Sequence, residues 1–163
     1  GRPTEKAILL DRLIDRPLRP LFPKDLRNDV QVILLPLSQG EEQHADVLGV
    51  IAASAALHIS DVPFEGPVAG VRIGLIEDEL VVNPTIEQME ESDLDLMVVG
   101  TEDATIMVEA GADEVDEETM LDALELANGS IQDAIKVEKP TPEAVGKPNG
   151  EEYPCFALPD KTL

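Results

Sequence analysis

The sequence predicts an α+β fold, a mixed β-sheet with helices packed on one face. Three patterns carry the prediction. Val71, Ile73 and Leu75 alternate with Arg72 and Gly74, and a second alternating pair of stretches follows at 94–99 and 105–110. Met120, Leu121, Leu124, Ala127, Ile131 and Ile135 recur at helical spacing. Between them in character, 45–59 is apolar around nearly the whole circumference of a helix, which marks a buried one.

Taken in order, Thr4 can cap a first helix whose apolar residues are Ile8, Leu9 and Leu13. Pro17 lacks an amide and crowds the preceding turn, so that helix is expected to end or kink near Arg16, with Pro20 and Pro23 forcing an extended path. Val30 to Leu37, bounded by Asn28-Asp29 and Ser38-Gln39-Gly40, reads as a buried strand. After the buried helix, 61–67 is rich in turn residues and leads into the hairpin 71–82, with Glu77-Asp78-Glu79 as its turn. Residues 84–92 predict a short surface helix, and a second hairpin turns at Gly100 to Asp103. Asp116 and Glu117 stand where a helix dipole favours negative charge, opening a long amphipathic helix. Residues 139–154 hold four prolines and two glycines and read as a linker, and the final stretch is too short to fold alone.

Charge is unevenly distributed. The 163 residues carry 34 acids and 12 bases, a net charge of −22. Seven of the bases fall in residues 1–27 against four acids, so that segment is +3 and the remainder −25. Affinity for polyanions is therefore expected to be local. The acid excess fits either an outer rim that never meets a polyanion or a salty cytoplasm. A single cysteine, Cys155, excludes an internal disulfide framework or thiolate metal cluster and suits a reducing cytosol. No apolar run is long enough to span a membrane, and the Gly-Arg-Pro start, without methionine or signal, reads as a piece of a longer chain.

Arg12, Arg16 and Arg19 are spaced by four and three, which gathers their guanidiniums on one helix face if the turn persists through Pro17. Such forks bind phosphate oxygens bidentately. The alternative is a structural network with Glu5, Asp11 and Asp15, in which Arg19 is the guanidinium expected to be free for a ligand. Asp93 and Asp95 share a strand face and could hold Mg²⁺, or form a solvated surface. His44 and His58 are too far apart along one helix to share a metal. Cys155 lacks a histidine partner, and no glycine-rich phosphate loop occurs.

The strings Gly1-Arg-Pro-Thr-Glu-Lys6, Arg12 through Pro23, Ala52-Ala-Ser-Ala-Ala56, Pro63-Phe-Glu-Gly-Pro67, Asn83-Pro-Thr85 and Asp93 through Asp103 closely resemble the bacterial polynucleotide phosphorylase family. The match runs in order to about residue 138. It implies an RNase PH-like core, truncated at its N-terminus, over 1–138, with 139–163 as linker and start of an all-helical domain. It also implies a parent enzyme that degrades RNA from the 3′ end by phosphorolysis, releases nucleoside diphosphates, and runs in reverse as a polymerase. Mg²⁺ and inorganic phosphate would serve that parent, with neither bound by this segment. RNA, further copies in a homotrimer and components of an RNA-degradation complex are the implied partners, in the cytoplasm and without a membrane.

In this family the first of two RNase PH-like domains is degenerate, and the residues here agree with that reading. Ser38 to His44 stands where active domains carry a phosphate-binding loop, and Glu41 and Glu42 would repel phosphate. Asp95 matches the catalytic acid, but Met97 stands where a lysine is required, so Asp95 is expected to be vestigial, with no catalytic residue and no metal site in the segment. Arg2 matches the end of an RNA-contacting loop, and Arg12, Arg16 and Arg19 match arginines near the channel and active centre; all four are expected to bind RNA phosphates without reading bases. The competing expectation is a purely structural scaffold and oligomerisation module without direct RNA contact.

Overall fold

The computed structural model describes residues 2–147, apart from 39, 41 and 43, together with Tyr153. Gly1 and Glu41 of the expected motifs, Cys155, and the expected start of a helical domain within 148–152 and 154–163 lie outside the described residues.

Helix α1, Glu5–Leu18, starts at Thr4, whose hydroxyl accepts the Ala7 amide at 3.2 Å. It does not stop at Arg16. Pro17 sits buried inside the last turn, where its missing amide costs only one helical bond, and the Arg19 amide still donates to the Asp15 carbonyl. A 3₁₀ turn, Arg19–Leu21, follows, so all three arginines stay on one helical path. Helix α2, Ala45–His58, buries Val47, Val50, Ala53 and Leu57, but the face carrying Leu48, Ala52 and Ala56 is exposed, so the helix is covered on one side and not all round as its apolar circumference led one to expect. At Gly49, where the two helices meet, a Cβ would lie 2.5 Å from Ile14 Cδ1, so a larger residue would require that side-chain tip to move.

Strands β1 (Ala69–Ile76), β2 (Glu79–Val82), β3 (Leu94–Gly100) and β4 (Thr105–Ala112) form one sheet in the order β2-β1-β3-β4. The β1–β2 turn uses Glu77 and Asp78 at φ 51° and 63°, the left-handed pair that matches strand twist in a two-residue hairpin. Helix α3, Ile86–Glu90, then crosses to β3. It is held by a capping box in which Thr85 Oγ1 accepts the Gln88 amide at 3.2 Å and Gln88 Oε1 accepts the Thr85 amide at 2.9 Å. Thr85→Ala should lower stability by about 1 kcal/mol, read as the urea midpoint. Helix α4, Glu117–Glu138, is capped by Asp116, whose carboxyl is held below its ordinary range by the Thr119 amide and hydroxyl.

Further expectations need correction. Every pairing among the described strands is antiparallel, so the sheet is not mixed. The expected strand Val30 to Leu37 pairs with no strand among the described residues and is exposed, with Leu35 at 76% and Leu37 at 98%. An apolar run suits a sheet interior, but without a neighbouring strand its amides and side chains face solvent. Helices also cover both faces of the sheet. Leu94, Leu96 and Val98 of β3 pack on Ala123, Ala127, Ile131 and Ile135 of α4, while Met97 and Val99 pack on α1 and α2. The stretch read as linker contains a short helix α5, Thr141–Val145, beyond which the Lys147 amide donates to the Ile59 carbonyl at 2.9 Å. No helix among the described residues is long and apolar enough to cross a membrane.

Candidate anion-binding cleft

Helix α1, the start of α2, β1 and β4 enclose an open cleft of about 730 Å³. Five cations line it, Lys6, Arg12, Arg16, Arg19 and Arg72, against three carboxylates, Asp15, Asp46 and Glu109. On a chain of net −22 this is a local reversal of sign.

The rim belongs to α1. Arg19 donates from Nε and Nη2 to both oxygens of Asp15 at 2.8–2.9 Å, so it is not the free guanidinium expected from the sequence. The spacing of four that would present it to a ligand also presents it to Asp15. Arg16 Nη1 reaches Glu109 Oε2 on β4 at 3.2 Å. Both pairs are solvent-exposed and therefore weak. Arg12 has no ion pair or hydrogen bond among the described residues, which makes it the free fork of the three. Arg2 is exposed and does not line the cleft.

The floor is built on Arg72. In mid-strand, with a side chain only 14% exposed, it places Nη1 2.9 Å from Asp46 Oδ2 and Nε 2.8 Å from Asp95 Oδ1. The second contact is an ion pair without hydrogen-bond alignment, since Nε–H points away from any acceptor. Nη1 also approaches His44 Nδ1 at 2.7 Å. A guanidinium can only donate, so Nδ1 accepts and the ring proton lies on Nε2, which is buried without a partner among the described residues. Asp46 is 90% shielded and Asp95 about half. Two carboxylates thus neutralise one fork in three dimensions, joining α2, β1 and β3.

Asp95 therefore has a structural partner, and a carboxylate already paired with a guanidinium does not suit a cation. Asp93 is exposed, and among the described residues no group of three or more His, Cys, Asp or Glu side chains could share a metal. Among the described residues, then, neither Asp93 nor Asp95 belongs to a preformed metal cage. The floor residues Arg72, Asp46 and His44 were missed from the sequence, although Arg72 is the sole base between Arg27 and Lys136 and stands inside an apolar strand.

Comparisons place this geometry in a family. The model of the 3′ exoribonuclease family, domain 1, matches residues 1–63, and that of domain 2 matches 66–130. The polyribonucleotide nucleotidyltransferase of Heliobacterium modesticaldum is 52% identical over 93% of this chain and 21% of its own length. That of Thermus thermophilus is 50% identical over 99% and 23%, and that of Bacillus cereus 50% over 93% and 21%. The chain thus spans about a fifth of the length of these relatives. The crystal structure of rice (Oryza sativa) Rrp46 superposes with a TM-score of 0.62 at 14% identity, covering 88% of this chain and 67% of that one, which establishes the fold. With both domain models matched in sequence order and half of its residues shared with full-length relatives, the chain belongs to the RNase PH-type 3′ exoribonuclease family.

Proposed function

We propose that this chain is part of a phosphorolytic 3′ to 5′ exoribonuclease and serves there to hold RNA, not to cut it. In the parent reaction, an oxygen of inorganic phosphate attacks the phosphorus of the terminal phosphodiester, the bond from that phosphorus to the 3′-oxygen of the preceding nucleotide breaks, and that oxygen takes up a proton, giving a nucleoside diphosphate and an RNA one nucleotide shorter with a new 3′-hydroxyl. Mg²⁺ and the attacking phosphate would act elsewhere in the parent, and a homotrimer with other RNA-decay proteins is its proposed setting. The observation that carries the reading is the cationic cleft, whose unpaired Arg12 and exposed Arg16 and Arg19 can engage phosphates in any sequence.

Asp95 supports the non-catalytic part of the proposal. A general acid must reach the reacting group, whereas this carboxylate sits 2.8 Å from Arg72 Nε. Purified chain supplied with poly(A), phosphate and Mg²⁺ should release no nucleoside diphosphate above background. Steady release that Asp95→Asn abolishes would overturn the reading.

The scaffold alternative draws on a specific observation too: Arg19 is already bound to Asp15 and Arg16 to Glu109. In that reading the arginines stabilise α1 and its neighbours and RNA never touches them.

A further inference from the structure

Away from the cleft, α4 ends on a carboxyl group that has no counter-ion. Glu138 is 6% exposed. Its Oε2 accepts the Ser54 hydroxyl at 2.8 Å, and Oε1 is buried without a hydrogen-bond partner among the described residues. Ser54, fully buried on α2, accepts the Val68 amide at 2.9 Å, so its single proton is directed to Glu138. The carboxyl also stands at the helix end where the backbone dipole disfavours negative charge.

None of the charged groups around this end neutralises it. From α2, His58 lies against the Lys139 backbone, and burial lowers its pKa against an opposing pull from that backbone contact, which disfavours the charged ring. The Lys139 ammonium pairs with Glu102. Lys147 is exposed and turned towards Asp61, at 3.9 Å. Asp61 and Glu65, on the loop after α2, are exposed acids. Burial consequently pushes the Glu138 carboxyl up to about 7, against a smaller downward pull from Ser54.

The chain that follows is a strap laid over the end of α2. It comprises α5 and ends in the bond from the Lys147 amide to the Ile59 carbonyl. We propose that Glu138 is a proton-operated latch: neutral, it docks the end of α4 on Ser54 and keeps residues 139–147 on α2; ionised, it loosens that strap. The segment that leaves the domain would then be tighter in acid and looser in neutral solution, whatever the cleft binds.

The direction follows from linkage. Docked, the group titrates near 7; released into water it returns to its ordinary 4.5, so release sheds a proton. Opening is favoured progressively as pH rises from about 4.5 to about 7 and then levels off. Hydrogen exchange of the whole chain, corrected for intrinsic rates, should show opening of 139–147 rising at least about tenfold between roughly pH 5 and 7.5, while β3 stays protected. Glu138→Gln should abolish the rise of strap opening with pH. A wild-type strap with pH-independent exchange, or a variant that keeps the dependence, would overturn the latch. Should the variant not fold, the ¹³C carboxyl titration of Glu138 in the wild-type chain decides: a midpoint well above 4.5 supports the latch, and an ordinary one removes it.

Discussion

Arg72→Met should destabilise the domain by about 3 to 5 kcal/mol, seen as a lower urea midpoint with an unchanged slope. Methionine keeps the apolar stem and removes only the fork. What remains is Asp46 at 10% exposure without a cation, and His44 Nδ1 without its donor. The penalty comes mainly from Asp46, because Asp95 is half-solvated and water can take the place of the guanidinium there. Asp95→Asn should therefore cost less than Asp46→Asn. The double variant Arg72→Met with Asp46→Leu should regain much of the stability, since an apolar pair often replaces a buried ion pair at little cost. If the single and double variants are equally unstable, the stem and not the charge of Arg72 supports the floor.

This triad also marks where the sequence was legible and where it was not. Helices and hairpins were readable because their burial is local in sequence: Ile131 and Ile135 must face something wherever the sheet lies. Even Glu138 continues that stripe, three residues beyond Ile135, which was the available sign that a carboxyl would be buried. Pairing across elements is not local. Asp46, Arg72 and Asp95 are separated by 26 and 23 positions, and only the β1–β3 register, which sets Arg72 opposite Met97 and Gly74 opposite Asp95, brings the last two together. The resemblance identified Asp95 by position but carried no information on its new partner. Val30 to Leu37 failed for the same reason, because a strand is defined by its neighbour, and none of the described residues supplies one. Met97 and Val99 were the overlooked sign that β3 is apolar on both faces and needs helices on both.

Replacing Arg12, Arg16 and Arg19 together with alanine should weaken binding of an oligo(A) strand by at least about tenfold at low salt. It should also make the plot of log affinity against log salt shallower by about 0.7 for each phosphate that is no longer neutralised, hence by about 2. The three contributions should be unequal. Arg12 is unpaired and gives up nothing on meeting phosphate, Arg16 must leave one oxygen of Glu109, and Arg19 must leave a bidentate Asp15. Arg12→Ala should then have the largest single effect and Arg19→Ala the smallest. The same competition makes Glu109→Gln a variant that tightens binding, because it frees Arg16, while Glu125→Gln, an exposed site on α4, removes equal charge and should change affinity much less. A general response to net charge would treat Glu109 and Glu125 alike. Unchanged affinity and salt slope in the triple variant, with altered assembly of the full-length enzyme, would leave these arginines to the scaffold alone.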